Sequence, residues 1–243
     1  LPPVNSKTAD KSKRILNEGI VMIEVDDILE GGWSQRHKDL MEKFYKRFVC
    51  GKRLVLMDTP CGTRVSGIRV QQYKDYSFTY DMNEYANKNM EVIEKPRGFI
   101  SNTKEIDDAT LSQVVTSNGK IGWIGTNGRP DVAAAHSIIA GGYKNKQPSL
   151  VTDCNTSVLH CKKHEILIRI WAIKPEDLRF LAFCDGSFDP TNERHQIGWL
   201  CCATTKELNE NRKAPVSLLG WRSRKLPRKA GSPQLVETYS GSY

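Results

Sequence analysis

The tetrapeptide Glu24-Val25-Asp26-Asp27 follows the apolar run Ile20-Val21-Met22-Ile23 and precedes Ile28-Leu29-Glu30-Gly31-Gly32. Two adjacent carboxylates therefore stand where one apolar strand must turn into another. The pattern predicts a β-hairpin whose tip presents acids, with the paired glycines closing the bend. Hard divalent cations take carboxylate oxygens, and a pair of such ions stabilises both the attacking and the leaving oxygen of a phosphoryl transfer. Asp26 and Asp27 are thus the first candidate metal ligands.

A second acid sits in Phe180-Leu181-Ala182-Phe183-Cys184-Asp185-Gly186-Ser187-Phe188. A carboxylate on an apolar strand is costly unless it meets a charge or a hydrogen-bond donor. The plain reading is a strand-ending Asp that makes an Asx-turn with Gly186 and Ser187. The alternative is chemical. A helix after the third strand of such a sheet brings Glu237 beside Asp185, and two carboxylates begin a divalent-metal site for phosphodiester hydrolysis.

The elements that must position these acids follow from periodicity. Leu40, Met41, Phe44 and Phe48 share one face of an amphipathic helix over Gln35 to Phe48, with Ser34 as its N-cap, packed on the hairpin. Strand-like runs follow at Arg53 to Met57, Arg64 to Val70 and Tyr76 to Tyr80, then a helix from Asp81 to Val92. Beyond Pro96 the chain reads as mainly helical: Asp107 to Val115, Gly119 to Thr126, Pro130 to Ala140 and Leu150 to Cys161, ending in a strand at Glu165 to Ile173. Leu178 to Cys184, Gln196 to Thr204 and Val216 to Trp221 are three further strands, and Ser232 to Ser242 starts a last helix.

The 36 Lys plus Arg against 28 Asp plus Glu give a formal net charge of +8, which favours an anionic partner. The densest basic run supplies Arg222, Arg224, Lys225, Arg228 and Lys229 beside Trp221. It reads equally as a phosphate grip with a stacking ring or as a solvated loop after a core strand. The seven cysteines include no C-x-x-C pair, so they read as reduced thiols of an intracellular protein with no disulfide-linked partner and no structural zinc. No apolar run approaches the roughly 20 residues that span a bilayer, so no membrane partner is expected.

Taken in order, these motifs resemble the polyprotein of copia-type retrotransposons, from the middle of the reverse transcriptase into the ribonuclease H domain. Met22 to Leu29 is similar to the palm motif of an aromatic, any residue and two aspartates. Ser66-Gly67-Ile68-Arg69-Val70 resembles the Leu-Gly-Ile strand beyond it, and Tyr85 matches a Tyr on the helix that follows. Gly122 to Thr126 with Arg129-Pro130-Asp131-Val132 resembles the Thr-Arg-Pro-Asp-Ile region. Phe183-Cys184-Asp185 resembles the first ribonuclease H strand, Trp221-Arg222-Ser223-Arg224-Lys225 the Trp-x-Ser-Lys-Lys segment, and Ser232 to Tyr239 the Ser-Ser-Thr-Glu-Ala-Glu-Tyr helix start.

The resemblance implies an α+β chain: a partial polymerase palm and thumb region over 1–100, a helical connection over 101–175, and over 176–243 the N-terminal half of a ribonuclease H-like mixed sheet. It implies Mg²⁺ (or Mn²⁺) at the catalytic positions Asp26, Asp27, Asp185 and Glu237, with RNA and DNA as an RNA:DNA hybrid, and deoxynucleotides for the intact parent. It also implies a cytoplasmic particle and the nucleus as locations. Three departures give the expectation that the isolated chain is inactive. Glu24 replaces the palm aromatic, no strand-borne Asp precedes Asp26, and the chain stops six residues after Glu237, ahead of the remaining ribonuclease acids. The alternative is a non-catalytic nucleic-acid-binding remnant of such an element.

Overall fold

A computed structural model describes residues 18–24, 27–94, 105–188, 195–210, 212–226 and 230–242. The class is α+β with antiparallel pairing in every sheet. The chain divides into two units, Leu1–Leu54 and Val55–Tyr243.

In the first unit, β1 (Gly19–Glu24) pairs with β2 (Asp27–Gly32) in a register that sets Met22 opposite Leu29 and Glu24 opposite Asp27. Positions 25 and 26 between the two strands, Asp26 among them, lie outside the described residues. Contrary to the sequence expectation, the paired glycines do not close the bend but end β2, opposite Ile20 and Gly19. Gly32 sits at the base of the hairpin opposite Gly19, and the His37 ring fills the space their missing side chains leave. That ring belongs to α1 (Gln35–Arg47), whose first turn is capped by Ser34 Oγ accepting from His37 N at 3.0 Å. Polar contacts hold the helix to the hairpin: Tyr45 Oη donates to Glu30 at 2.8 Å, and His37 Nε2 lies 3.4 Å from the same carboxylate. Met41 alone of the helix is buried.

The second unit begins with a sheet ordered β3 (Thr63–Val65), β4 (Ile68–Gln72), β5 (Phe78–Asp81) and β6 (Ile168–Ile170). The single strand expected over Arg64 to Val70 is instead a hairpin. Ser66 and Gly67 both take positive φ, 50° and 82°, which is the two-residue turn whose twist suits antiparallel strands. The strand expected at Arg53 to Met57 is extended coil running into a 3₁₀ turn at Leu56–Asp58.

Next come α2 (Asn83–Asn89), α3 (Asp108–Asn127), α4 (Ala133–Gly141) and α5 (Ser149–Lys163). Val114, Ile121, Ile124, Val151 and Val158, none with any exposed area, centre their shared core. Glycines 119 and 122 divide α3 on propensity alone, yet the helix is continuous. Gly122 lies against His136 of α4, where a Cβ would come within 2.5 Å of the ring, and Gly125 lies against Ala133. Close packing of α4 on this small-residue face offsets a helix-propensity cost of about 1 kcal/mol per glycine. Asn118, on the same face, donates to His136 O at 3.0 Å and to Tyr143 Oη at 2.7 Å.

The last sheet is β7 (Leu178–Ser187), β8 (Gln196–Thr205) and β9 (Val216–Lys225), followed by α6 (Pro233–Ser242). Its core is Ile197, Leu226, Ala230 and Val236, with Phe188 and Tyr239 packed around them. The helix crosses β7 very closely: a Cβ on Gly186 would sit 2.6 Å from Val236 Cγ1 and 3.1 Å from its carbonyl. Only glycine permits that crossing.

Candidate functional site

At the hairpin of the first unit, β1 ends on an exposed Glu24 and β2 begins on a half-buried Asp27 directly opposite.

In the second unit, register places Asp185 opposite Gly198, and Gly198 opposite Ser223. Directly paired residues share a face of the sheet and neighbours along a strand alternate. Cys184, Gly186 and Ile197 accordingly face α6, whereas Phe183, Asp185, Gly198, Trp221 and Ser223 face α4. Glu237 follows the buried Val236 on α6 and is exposed. Asp185 and Glu237 thus lie on adjoining elements but on opposite faces of β7. Asp185 is exposed, and its Oδ1 accepts from the N–H of Gly186 at 2.9 Å. This is a local turn contact one residue nearer than the Asx-turn the sequence offered.

Among the described residues, no group of three or more His, Cys, Asp or Glu side chains is placed to hold a metal ion. Mg²⁺ demands a near-octahedral oxygen shell, which one or two carboxylates complete only with water and substrate phosphates. Asp27 with Glu24, and Asp185 with Glu237, do not by themselves make such a shell. The described carboxylates at these two places leave most of such a shell to water and phosphate oxygens, and Asp26 lies outside the described residues.

The face of the sheet toward α4 forms a cleft of about 240 Å³. Pro130, Ala133 and Ala134 close it from above, Phe183, Leu200 and Trp221 flank it, and Gly198 is its floor. Trp221 fixes one wall. Its indole N–H donates to Gly125 O at 2.6 Å, one of the carbonyls left over at the end of α3. That hydrogen bond fixes the edge of the indole against the end of α3 and leaves its ring lining the cleft. The strand β9 also runs on through Lys225, so Trp221 does not end it and the basic run up to that point is strand, not loop. Arg222 and Arg224 fall on the α6 face and Lys225 on the α4 face, while Arg228 and Lys229 lie outside the described residues.

Comparison of the chain with protein-family models, curated proteins and solved structures returns no match. Nor is any helix among the described residues long and apolar enough to cross a membrane, and all seven cysteines are free thiols.

One ionic cluster escaped the sequence reading. Arg129, which has no exposed area, donates from Nε and Nη2 to the two oxygens of Asp131 at 3.0 and 2.8 Å, and from Nη1 to Cys161 O at 2.9 Å. His160 Nε2 lies 2.8 Å from Asp131 Oδ2. The signal was the Arg-Pro-Asp spacing, in which Pro130 opens a 3₁₀ turn that folds Asp131 back onto Arg129. Burial pushes the Asp131 carboxyl up, but the hydrogen bonds and charges of Arg129 and His160 outweigh it and hold the group below the usual carboxylate range. A depressed folded value means that the stabilisation is complete above the unfolded value of about 3.9 and is lost as pH falls through the folded one. We therefore expect urea melts to show an acid limb below roughly pH 4 that is shallower in Asp131→Asn, and an unchanged limb in that variant contradicts this assignment.

Proposed function

We propose that this chain is a segment of a copia-type retrotransposon polyprotein, covering the end of the reverse transcriptase and the start of the ribonuclease H domain. The observation that carries the reading is the order and docking of β7, β8, β9 and α6. Three antiparallel strands, the first bearing Asp185, lead into a helix bearing Glu237 that crosses that first strand at Gly186. The hairpin that sets Asp27 at the start of β2 is consistent with the palm end of the same reading.

On this reading, RNA-directed DNA synthesis and hydrolysis of the RNA strand of an RNA:DNA hybrid, with Mg²⁺ (or Mn²⁺), are activities of the parent polyprotein. The chain itself is a non-catalytic nucleic-acid-holding part. Arg222 and Arg224 on one face of β9 support the nucleic-acid-holding part of this reading. Hydrogen-bonded arginines hold phosphates by charge whatever the base sequence.

The test is an end-labelled RNA:DNA hybrid incubated with the purified chain in Mg²⁺ and then in Mn²⁺, alongside a primer-extension assay. The expected result is no RNA cleavage and no extension above background, with Asp185→Asn indistinguishable from the unaltered chain. Metal-dependent cleavage that Asp185→Asn abolishes overturns the non-catalytic assignment.

A further inference from the structure

The floor of the α4 cleft is a glycine that the protein itself does not need. Gly198 lies inside the central strand β8. A Cβ there would meet only Arg222 O at 3.6 Å and Ser223 Oγ at 4.0 Å, both ordinary contacts, and the residue is absent from those with positive φ. Gly186, by contrast, is pressed against Val236 at 2.6 Å. Glycine inside a strand costs about 0.5–1 kcal/mol relative to alanine, and such glycines often mark where a ligand comes close to the backbone. The cleft opens above Gly198.

The groups around that space have one chemical bias. Phe183, Trp221, Pro130 and Ala133 make it apolar. Asp185, beside Gly198 on one side, is its one acidic side chain, and its Oδ2 has no protein partner among the described residues. Ser223, beside Gly198 on the other, accepts from Gln196 Nε2 at 2.9 Å, which leaves its own hydroxyl hydrogen to donate. Arg222 contributes to the lining, but the alternation of β9 sends its side chain to the α6 face. A carboxylate at the edge of an apolar, aromatic-walled cleft favours a cation with a flat apolar body. The volume of about 240 Å³ falls below the roughly 300–1,000 Å³ of drug-sized sites, so the occupant is small.

We propose that this cleft binds a small aromatic amine, with its ammonium group on Asp185 and its ring over Gly198 between Pro130 and Trp221. The site does not depend on the retroelement reading, since it uses neither metal nor nucleic acid.

Tryptamine and its uncharged analogue tryptophol, titrated calorimetrically into the full chain, test it. Tryptamine should bind the unaltered chain and exceed tryptophol in affinity by about fivefold, the worth of one partly exposed ion pair. Asp185→Asn should remove that preference, and Gly198→Leu, which fills the cleft from its floor, should lose both ligands. Gly198→Leu is scored only where its thermal melt matches that of the unaltered chain; the exposed Asp185→Asn decides the matter if it does not. No tryptamine binding, equal affinity for the two ligands, or a preference kept in Asp185→Asn each overturns the proposal.

Discussion

Replacing Arg129 with Met should destabilise the second unit by about 3–5 kcal/mol, the usual cost of removing one partner from a buried ion pair. The guanidinium has no exposed area and makes three hydrogen bonds, two to Asp131 and one to Cys161 O. Its loss leaves the Asp131 carboxylate, only 23% exposed, with His160 as its remaining ionic partner among the described residues, and strands a backbone carbonyl of α5. Arg129→Lys keeps the charge but not the planar fork, so it should fall between the two. The double variant Arg129→Met/Asp131→Leu should recover part of the loss, because removing both charges removes the unpaired one. Chemical denaturation of the three variants checks the series, and a single Met variant within 1 kcal/mol of the unaltered chain, on the order of a surface change, contradicts it.

Gly186→Val should detach α6. Its side chain has to enter space held by Val236 Cγ1 at 2.6 Å and by the Val236 carbonyl at 3.1 Å, and a backbone cannot yield as a flexible side chain does. Overpacking of this kind costs about 1–3 kcal/mol. Here it also strips the cover from Ile197 and Val236, which are 3% and 0% exposed. Amide exchange in residues 233–242 should accelerate while exchange in α3 and α5 stays slow. Gly198→Ala, in the neighbouring strand, has ordinary contacts and should be neutral or slightly stabilising. Two strand glycines with opposite outcomes separate a glycine required by packing from one that is not; equal melting temperatures for Gly186→Val and the unaltered chain would remove the close crossing from the account.

Local signals were legible in the sequence where local physics decides. The α1 periodicity and its Ser34 cap, the helices around Pro130 and Leu150, and the three long strands of the last sheet stand within a few residues of where their patterns put them. Glycine was the recurrent source of difference. Gly119 and Gly122 read as breaks in α3 because propensity is local, whereas the close approach of His136 to Gly122 is a tertiary fact. Gly31-Gly32 read as a bend for the same reason, although His37 explains Gly32. At Ser66-Gly67 a two-residue turn hid inside an apolar run too short for its period to show.

The candidate site was legible in its residues and not in its geometry. Asp185 and Glu237 could be placed on a first strand and a following helix, and Asp27 on a hairpin. Which face each carboxylate occupies depends on strand register and on what packs against the sheet, and neither is written in a local window. The cleft over Gly198 needs α4 above β8, two elements separated by some 60 residues, and no spacing along the chain announces it. The Arg129–Asp131 pair was visible as a motif, but its burial beneath the end of α5 was not.

The proposed grip of nucleic acid by the basic strand is tested most directly by the salt dependence of the chain's affinity for an RNA:DNA hybrid. Fluorescence anisotropy across a series of salt concentrations should give a straight, falling plot of log affinity against log salt, as counterions released from phosphates require. Arg222→Ala/Arg224→Ala, which clears the α6 face of β9, should flatten the slope by about two units, close to one per lost phosphate contact, and Lys225→Ala on the opposite face should leave it nearly unchanged. No binding at low salt, or a slope that the double substitution does not alter, would contradict the claim.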